Sequence, residues 1–93
     1  VNTAVPDKFS LSQNYPNPFN PSTKIKFEIP KSTFVRITVF NSLGQQISAL
    51  ANQNVPSGTY ETEFNGENYP SGIYYYKLET PYFTQTKKML MIK

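Results

Sequence analysis

Seven short segments alternate apolar and polar residues, turn-forming residues separate them, and no apolar stripe recurs at helical spacing. These observations predict an all-β chain, a seven-stranded antiparallel sandwich of immunoglobulin-like type. The alternation also implies that each sheet has one dry and one wet face.

The elements follow in order. Phe9 to Leu11 forms a short first strand. Thr23 to Ile29 places Ile25, Phe27 and Ile29 on one face and Lys24, Lys26 and Glu28 on the other. Phe34 to Phe40 gathers Val35, Ile37 and Val39. Asn41-Ser42-Leu43-Gly44 is a turn into a shorter strand, Gln45 to Leu50. Thr59 to Phe64 sets Tyr60, Thr62 and Phe64 against Thr59, Glu61 and Glu63, and Ile73 to Glu79 and Phe83 to Ile92 complete the set. One pattern occurs twice: Val55-Pro56-Ser57-Gly58-Thr59-Tyr60 and Tyr69-Pro70-Ser71-Gly72-Ile73-Tyr74. Proline presets φ and glycine tolerates a strained exit, so each Pro-Ser-Gly turns the chain into a strand with a tyrosine two residues in. In the second copy, Tyr74 stands where a tyrosine corner returns its hydroxyl to upstream backbone.

Composition narrows the function. The 93 residues make one small domain with a sufficient but marginal core. Without cysteine there is no disulfide, thiolate metal site or thiol chemistry. Without histidine the commonest metal ligand and neutral-pH proton shuttle is missing, and no cofactor is expected. The net charge of +3 is spread along the chain; only Lys87 and Lys88 are adjacent, which is no patch for nucleic acid. The longest apolar run, Met89 to Ile92, is far too short to span a bilayer, so no direct membrane insertion is expected. The chain begins at Val1 without a signal-peptide pattern and reads as a piece of a longer polypeptide.

Glu61 and Glu63 share a strand face at about 7 Å, a spacing that superficially suits a glycosidase pair. Nothing nearby would bury one of them, and no phosphate loop, metal-ligand spacing or nucleophile elbow accompanies them. They read as a solvated face, and the chain as no enzyme. Tyr74-Tyr75-Tyr76 is the best aromatic platform for a sugar. In a chain without tryptophan, however, Tyr74, Tyr76 and Leu78 serve better as core.

The oddest stretch is Asn14 to Pro21, with three asparagines, three prolines, Tyr15 and Phe19. A flexible linker would be rich in Gly and Ser. Here Pro16, Pro18 and Pro21 fix φ and push each preceding residue toward extended geometry. The block is therefore expected to be an ordered connection between the first two strands, docked by Tyr15 and Phe19. Pro18-Phe19-Asn20-Pro21 fits the PxxP form of proline-recognition ligands, a pattern too common to carry weight.

Asn14-Tyr15-Pro16-Asn17-Pro18-Phe19-Asn20-Pro21 resembles the opening motif of the type A C-terminal sorting domain of cargo for the type IX, or Por, secretion system. The resemblance continues through Val39-Phe40-Asn41-Ser42-Leu43-Gly44 and Pro70-Ser71-Gly72-Ile73-Tyr74 and ends in Lys87-Lys88-Met89-Leu90-Met91-Ile92-Lys93. The immunoglobulin-like module related to the flagellar hook-capping protein shares the Tyr-Pro-Asn-Pro-Phe opening. The residues carried over are Asn14, Tyr15, Pro16, Asn17, Pro18, Phe19 and Asn20 in the opening motif, Gly44, Gly72 and Tyr74 at the turns, and Lys87, Lys88, Met89 and Lys93 at the end.

The resemblance implies a sorting domain over residues 9–93 and a linker to upstream cargo over residues 1–8. Its implied partners are an outer-membrane translocon, a sortase-like peptidase and the cargo of the same chain, with the domain itself a monomer. The route runs through the periplasm to the cell surface or beyond, with the domain removed and the cargo anchored or released. The terminal strand offers apolar groups on both faces; Met89 and Leu90 are each expected to be covered, while the strand edge suits reading by a receptor. The alternative is an accessory immunoglobulin-like module of an extracellular enzyme, directed at carbohydrate.

The chain is expected to fold cooperatively as an all-β monomer without ligand. Circular dichroism with and without a chelator checks this; a helical spectrum or chelator-induced unfolding would refute it.

Overall fold

The computed structural model describes residues 5–93. Seven strands follow one another: β1 (Ser10–Leu11), β2 (Ser22–Ile29), β3 (Thr33–Asn41), β4 (Gln46–Val55), β5 (Gly58–Asn65), β6 (Gly72–Thr80) and β7 (Phe83–Met91). They form two antiparallel sheets, ordered β1-β2-β5 and β4-β3-β6-β7. No helix occurs among the described residues. The immunoglobulin-like sandwich expected from the alternation is the fold observed.

The period-two faces meet in a single core. The first sheet contributes Ile25, Phe27, Ile29 and Phe64, and the second Val35, Ile37, Val39, Tyr74, Tyr76, Leu78, Met89 and Met91. Leu11, Phe19 and Val55 close its margins. Lys24, Lys26, Glu61 and Glu63 lie on the solvent face of the first sheet, as a solvated strand face requires. Tyr74 and Tyr76 are core residues, which rules them out as an exposed sugar platform.

The fourth strand corrects the sequence reading. It runs to Val55, well past the expected end at Leu50. Its register against β3 shifts between Ile37 and Thr38 and again between Val39 and Phe40. Each bulge changes which residues of the pair face inward, so the alternation fades from the sequence while the ladder continues. The bulges and the exposed Asn52, Gln53 and Asn54 also make this outer strand a poor template for pairing.

The Pro-Ser-Gly pattern resolves into two copies of one corner. Tyr60 Oη donates to the Pro56 carbonyl and Tyr74 Oη to the Pro70 carbonyl, each at 2.5 Å. The glycines between them hold φ of 155° and 150°, a conformation that a Cβ would strain. The third sequence-predicted turn also holds: Gly44 N–H donates to Asn41 O at 3.0 Å, and the Asn41 side chain accepts from the Leu43 and Gln45 amides.

Tyr76 sits at the centre with no exposed surface. Its hydroxyl donates to Ser12 O at 2.6 Å and accepts from the Asn14 amide at 2.8 Å, so β6 is tied to the chain leaving β1. Burial pushes this phenol up to about 12, with the Asn14 N–H pulling the other way. A raised folded-state value means that the stabilisation is complete below the unfolded value of 10.0 and is lost as pH rises toward 12. We expect on the order of 2 kcal/mol to disappear across that window, measured by denaturant titration at successive pH values. Tyr76→Phe should flatten this alkaline loss while costing about 1–3 kcal/mol at neutral pH. Tyr76→Ala should cost about 3–5 kcal/mol at neutral pH.

Candidate functional site

Strand β7 lies at the outside of its sheet, so half of its backbone groups have no strand partner. Successive residues of a strand present these groups to opposite sides, and Leu90 and its even-numbered neighbours present theirs outward. The Asn14–Pro21 block meets this edge. Phe19 N–H donates to Leu90 O and Ile92 N–H to Phe19 O, both at 3.0 Å, as a parallel bridge opposite Met91. Leu90 N–H donates to Asn17 Oδ1 at 3.0 Å, and Gln13 Nε2 donates to Lys88 O at 2.7 Å.

The block's other end stays with the first sheet. Tyr15 and Lys24 exchange both backbone hydrogen bonds, at 2.9 and 3.0 Å. The chain between β1 and β2 thus passes from one sheet to the edge of the other. Prolines explain why it cannot simply extend the ladder with β2: Pro16, Pro18 and Pro21 have no N–H to give.

Side chains take over the hydrogen bonding. Asn14 Nδ2 donates to Thr23 Oγ1 at 3.0 Å and to Pro16 O at 3.1 Å, and Thr23 Oγ1 donates to Pro16 O at 2.8 Å. Gln13 Nε2 donates to Asn14 Oδ1 at 2.7 Å. Asn14 and Thr23 are both buried, and this network satisfies them. Phe19, 2% exposed, inserts between the sheets and meets Phe64 edge-on at 6.0 Å. It is the anchor that the sequence suggested.

The residues singled out from sequence gather at one end of the sandwich. The strand registers bring the opening block, the Gly44 turn, the Gly72 corner and the end of β7 to the same pole. Gly72 lies opposite Met91 and Tyr74 opposite Met89. Lys93 N–H donates to Ser71 Oγ at 2.9 Å, and Lys93 Nζ to Glu67 O at 2.6 Å. Asn14, Phe19, Tyr74 and Met89 are interior; Tyr15, Pro16, Asn17, Pro18, Asn20, Lys88 and Lys93 are exposed. Gln13, Thr23 and Glu67 join this pole without any sequence signal beyond their polarity, and Ser71 joins it from within the second Pro-Ser-Gly corner.

Two expectations need correction, and the adjacent terminal lysines prove to differ. Tyr15 is no docking handle: its bridge to Lys24 turns the ring to the solvent face, where it is 81% exposed. Leu90 is 37% exposed, because alternation turns it away from the opposite sheet while Met89 and Met91 turn in. Lys87 and Lys88 are not an equivalent exposed pair. Lys88 is exposed, whereas Lys87 is half-buried on the face shared with Met89, opposite Tyr76. An inward lysine on an outer strand discourages pairing with another chain.

Among the described residues there is no cluster of acidic, histidine or cysteine side chains able to hold a metal ion. No described helix is long and apolar enough to cross a membrane. A family model for the secretion system C-terminal sorting domain matches residues 13–93. No curated protein matches the sequence.

Phe19→Ala is expected to cost about 3–5 kcal/mol by emptying a core position. It should also speed hydrogen exchange of the Leu90 and Ile92 amides beyond what that loss of global stability accounts for. Asn17→Ala removes one exposed hydrogen bond and should cost no more than about 1.5 kcal/mol.

Proposed function

Because the chain belongs to the family of secretion system C-terminal sorting domains, we propose that it carries upstream cargo through the type IX machinery across the outer membrane. In this reading the translocon recognises the pole where the opening block closes the edge of β7. A sortase-like peptidase then cuts in the linker of residues 1–8, and the cargo is anchored at the cell surface or released. Residues 1–4 of that linker lie outside the described structure; Val5, Asp7 and Lys8 are exposed and belong to no strand. The family is one of sorting signals rather than of catalysts, and in this reading the domain acts as a monomeric label.

The observation that carries this reading is the convergence of the motif segments on one pole, away from the attachment of cargo. Phe9, where the chain enters the fold, stacks on Phe83 at 5.5 Å and on Tyr82 at 6.1 Å. Those rings lie at the start of β7, and the recognition pole lies at its end, about 26 Å away at a strand rise of ~3.3 Å per residue. Cargo at one pole leaves the other accessible to a receptor. The closed edge of β7 and the bulged, polar edge of β4 support the monomeric state.

A periplasmic reporter fused to this chain, expressed in a host with the type IX machinery, should reach the outside of the cell. Retention of that fusion would sink the sorting reading. Lys88→Glu changes an exposed side chain and should alter stability by no more than about 0.5 kcal/mol. A receptor that reads this strand by charge would be repelled, so the variant reporter should stay in the periplasm. Normal secretion of the variant would reduce Lys88 to a solvated surface residue.

A further inference from the structure

Tyr15 presents a large aromatic ring to solvent from a main chain that is hydrogen-bonded on both sides. Two backbone hydrogen bonds to Lys24 fix its main chain, and the next carbonyl, Pro16 O, is held by Asn14 and Thr23. It stacks on no other ring among the described residues, and it is 81% exposed. Tyr82 is also exposed, but the Lys31 ammonium lies 3.7 Å from its ring centre and Phe9 stacks beside it. Among the described residues the Tyr15 ring has no such neighbour.

The surroundings of that ring are a site in outline. It stands between two concavities on the solvent face of the first sheet. One, of about 310 Å³, is lined by Ser12, Gln13, Lys24, Lys26 and Glu61; the other, of about 320 Å³, by Pro16, Ser22, Thr23, Lys24 and Glu63. Each is at the small end of the range for ligand sites. Lys24 lies opposite Glu63, and Lys26 opposite Glu61, yet none of the four forms an ion pair among the described residues. Their donors and acceptors remain available to a ligand.

We propose that Tyr15 is the stacking platform of a glycan-binding site that takes a neutral, extended oligosaccharide. An aromatic face offers apolar area to the C–H face of a sugar ring, and a few convergent polar groups orient it. Two lysines alternating with two glutamates leave no net local charge to attract a polyanion or polycation. The same alternation suits hydroxyl groups, each of which both donates and accepts. A linear saccharide crossing the ring would meet such groups on both sides. This binding does not rest on the sorting reading, although Gln13, Tyr15, Pro16 and Thr23 also belong to the pole that reading invokes.

The test is a titration of the isotope-labelled 93-residue chain, followed by amide shifts, with cellohexaose, mannohexaose and oligogalacturonate as probes. Saturable shifts centred on Tyr15, Lys24, Lys26 and Glu61 are expected with at least one neutral probe. Tyr15→Ala should weaken that binding at least about tenfold, and Tyr15→Phe should keep it within about twofold, since stacking needs the ring. Should Tyr15→Ala disturb the spectrum as a whole, the Lys26→Ala/Glu61→Ala double variant examines the same surface, and full retention of binding there refutes the site. The proposal is also overturned by the absence of saturable shifts, by shifts centred elsewhere, or by unchanged binding in Tyr15→Ala. Binding confined to the acidic probe and abolished by salt would mean simple attraction to lysine and would overturn it equally.

Discussion

The outer strand of a sheet carries a row of backbone N–H and C=O groups that another chain can pair with, and a sandwich must deal with each such row. In this domain that constraint falls hardest on β7, whose last residues are apolar on both faces. The solution is to bring the chain between β1 and β2 across the gap and lay it against residues 88–92. Three prolines make the crossing possible, because a segment without N–H groups at those positions cannot remain in a continuous ladder with β2. Phe19 holds the crossing in place by burial, and Asn17 and the Phe19 backbone supply the hydrogen bonds that β7 lacks.

The crossing depends in turn on one buried polar cluster. Asn14 connects Pro16, Thr23 and, through its amide, the Tyr76 hydroxyl, which also reaches Ser12. Asn14, Thr23 and Tyr76 are buried, so a partner lost in that chain of contacts leaves a buried polar group unsatisfied. Tyr76 does two jobs at once: its ring fills the middle of a core without tryptophan, and its hydroxyl spans from β6 to the segment after β1. This coupling places the folded position of the block under the control of residues more than sixty positions away.

Much of this was legible in the sequence because period-two alternation is a property of single strands. β2, β3, β5 and β6 each show it, and the inward residues it predicts, from Ile25 to Leu78, lie inside or on the inner face. The end of β7, apolar on both faces, does not reveal that Leu90 turns outward. The Pro-Ser-Gly corners were legible because proline and glycine act locally. What escaped was whatever depends on a partner strand. The length of β4 is hidden by bulges that exist only against β3. The outward turn of Tyr15 follows from its bridge to Lys24, and the differing burial of Lys87 and Lys88 from the registry of β7 on β6. The pole itself was legible only as separate motifs, since nothing in Asn17 or Gln13 alone points to the amide of Leu90 or the carbonyl of Lys88.

A surface assembled this way differs from a linear tag. Gln13 reaches a residue 75 positions away, and Asn17 one 73 positions away, so neither contact survives unfolding. The arrangement is therefore present only to the extent that the domain is folded, and a chain of this size has a small margin of stability. Loosening the core by a few kcal/mol would change the population of that pole without touching any residue on its surface. Substitutions at Phe19 or Tyr76 and substitutions at Lys88 consequently act at different levels. The first pair governs whether the closed edge of β7 exists, and the second governs only what the closed edge presents.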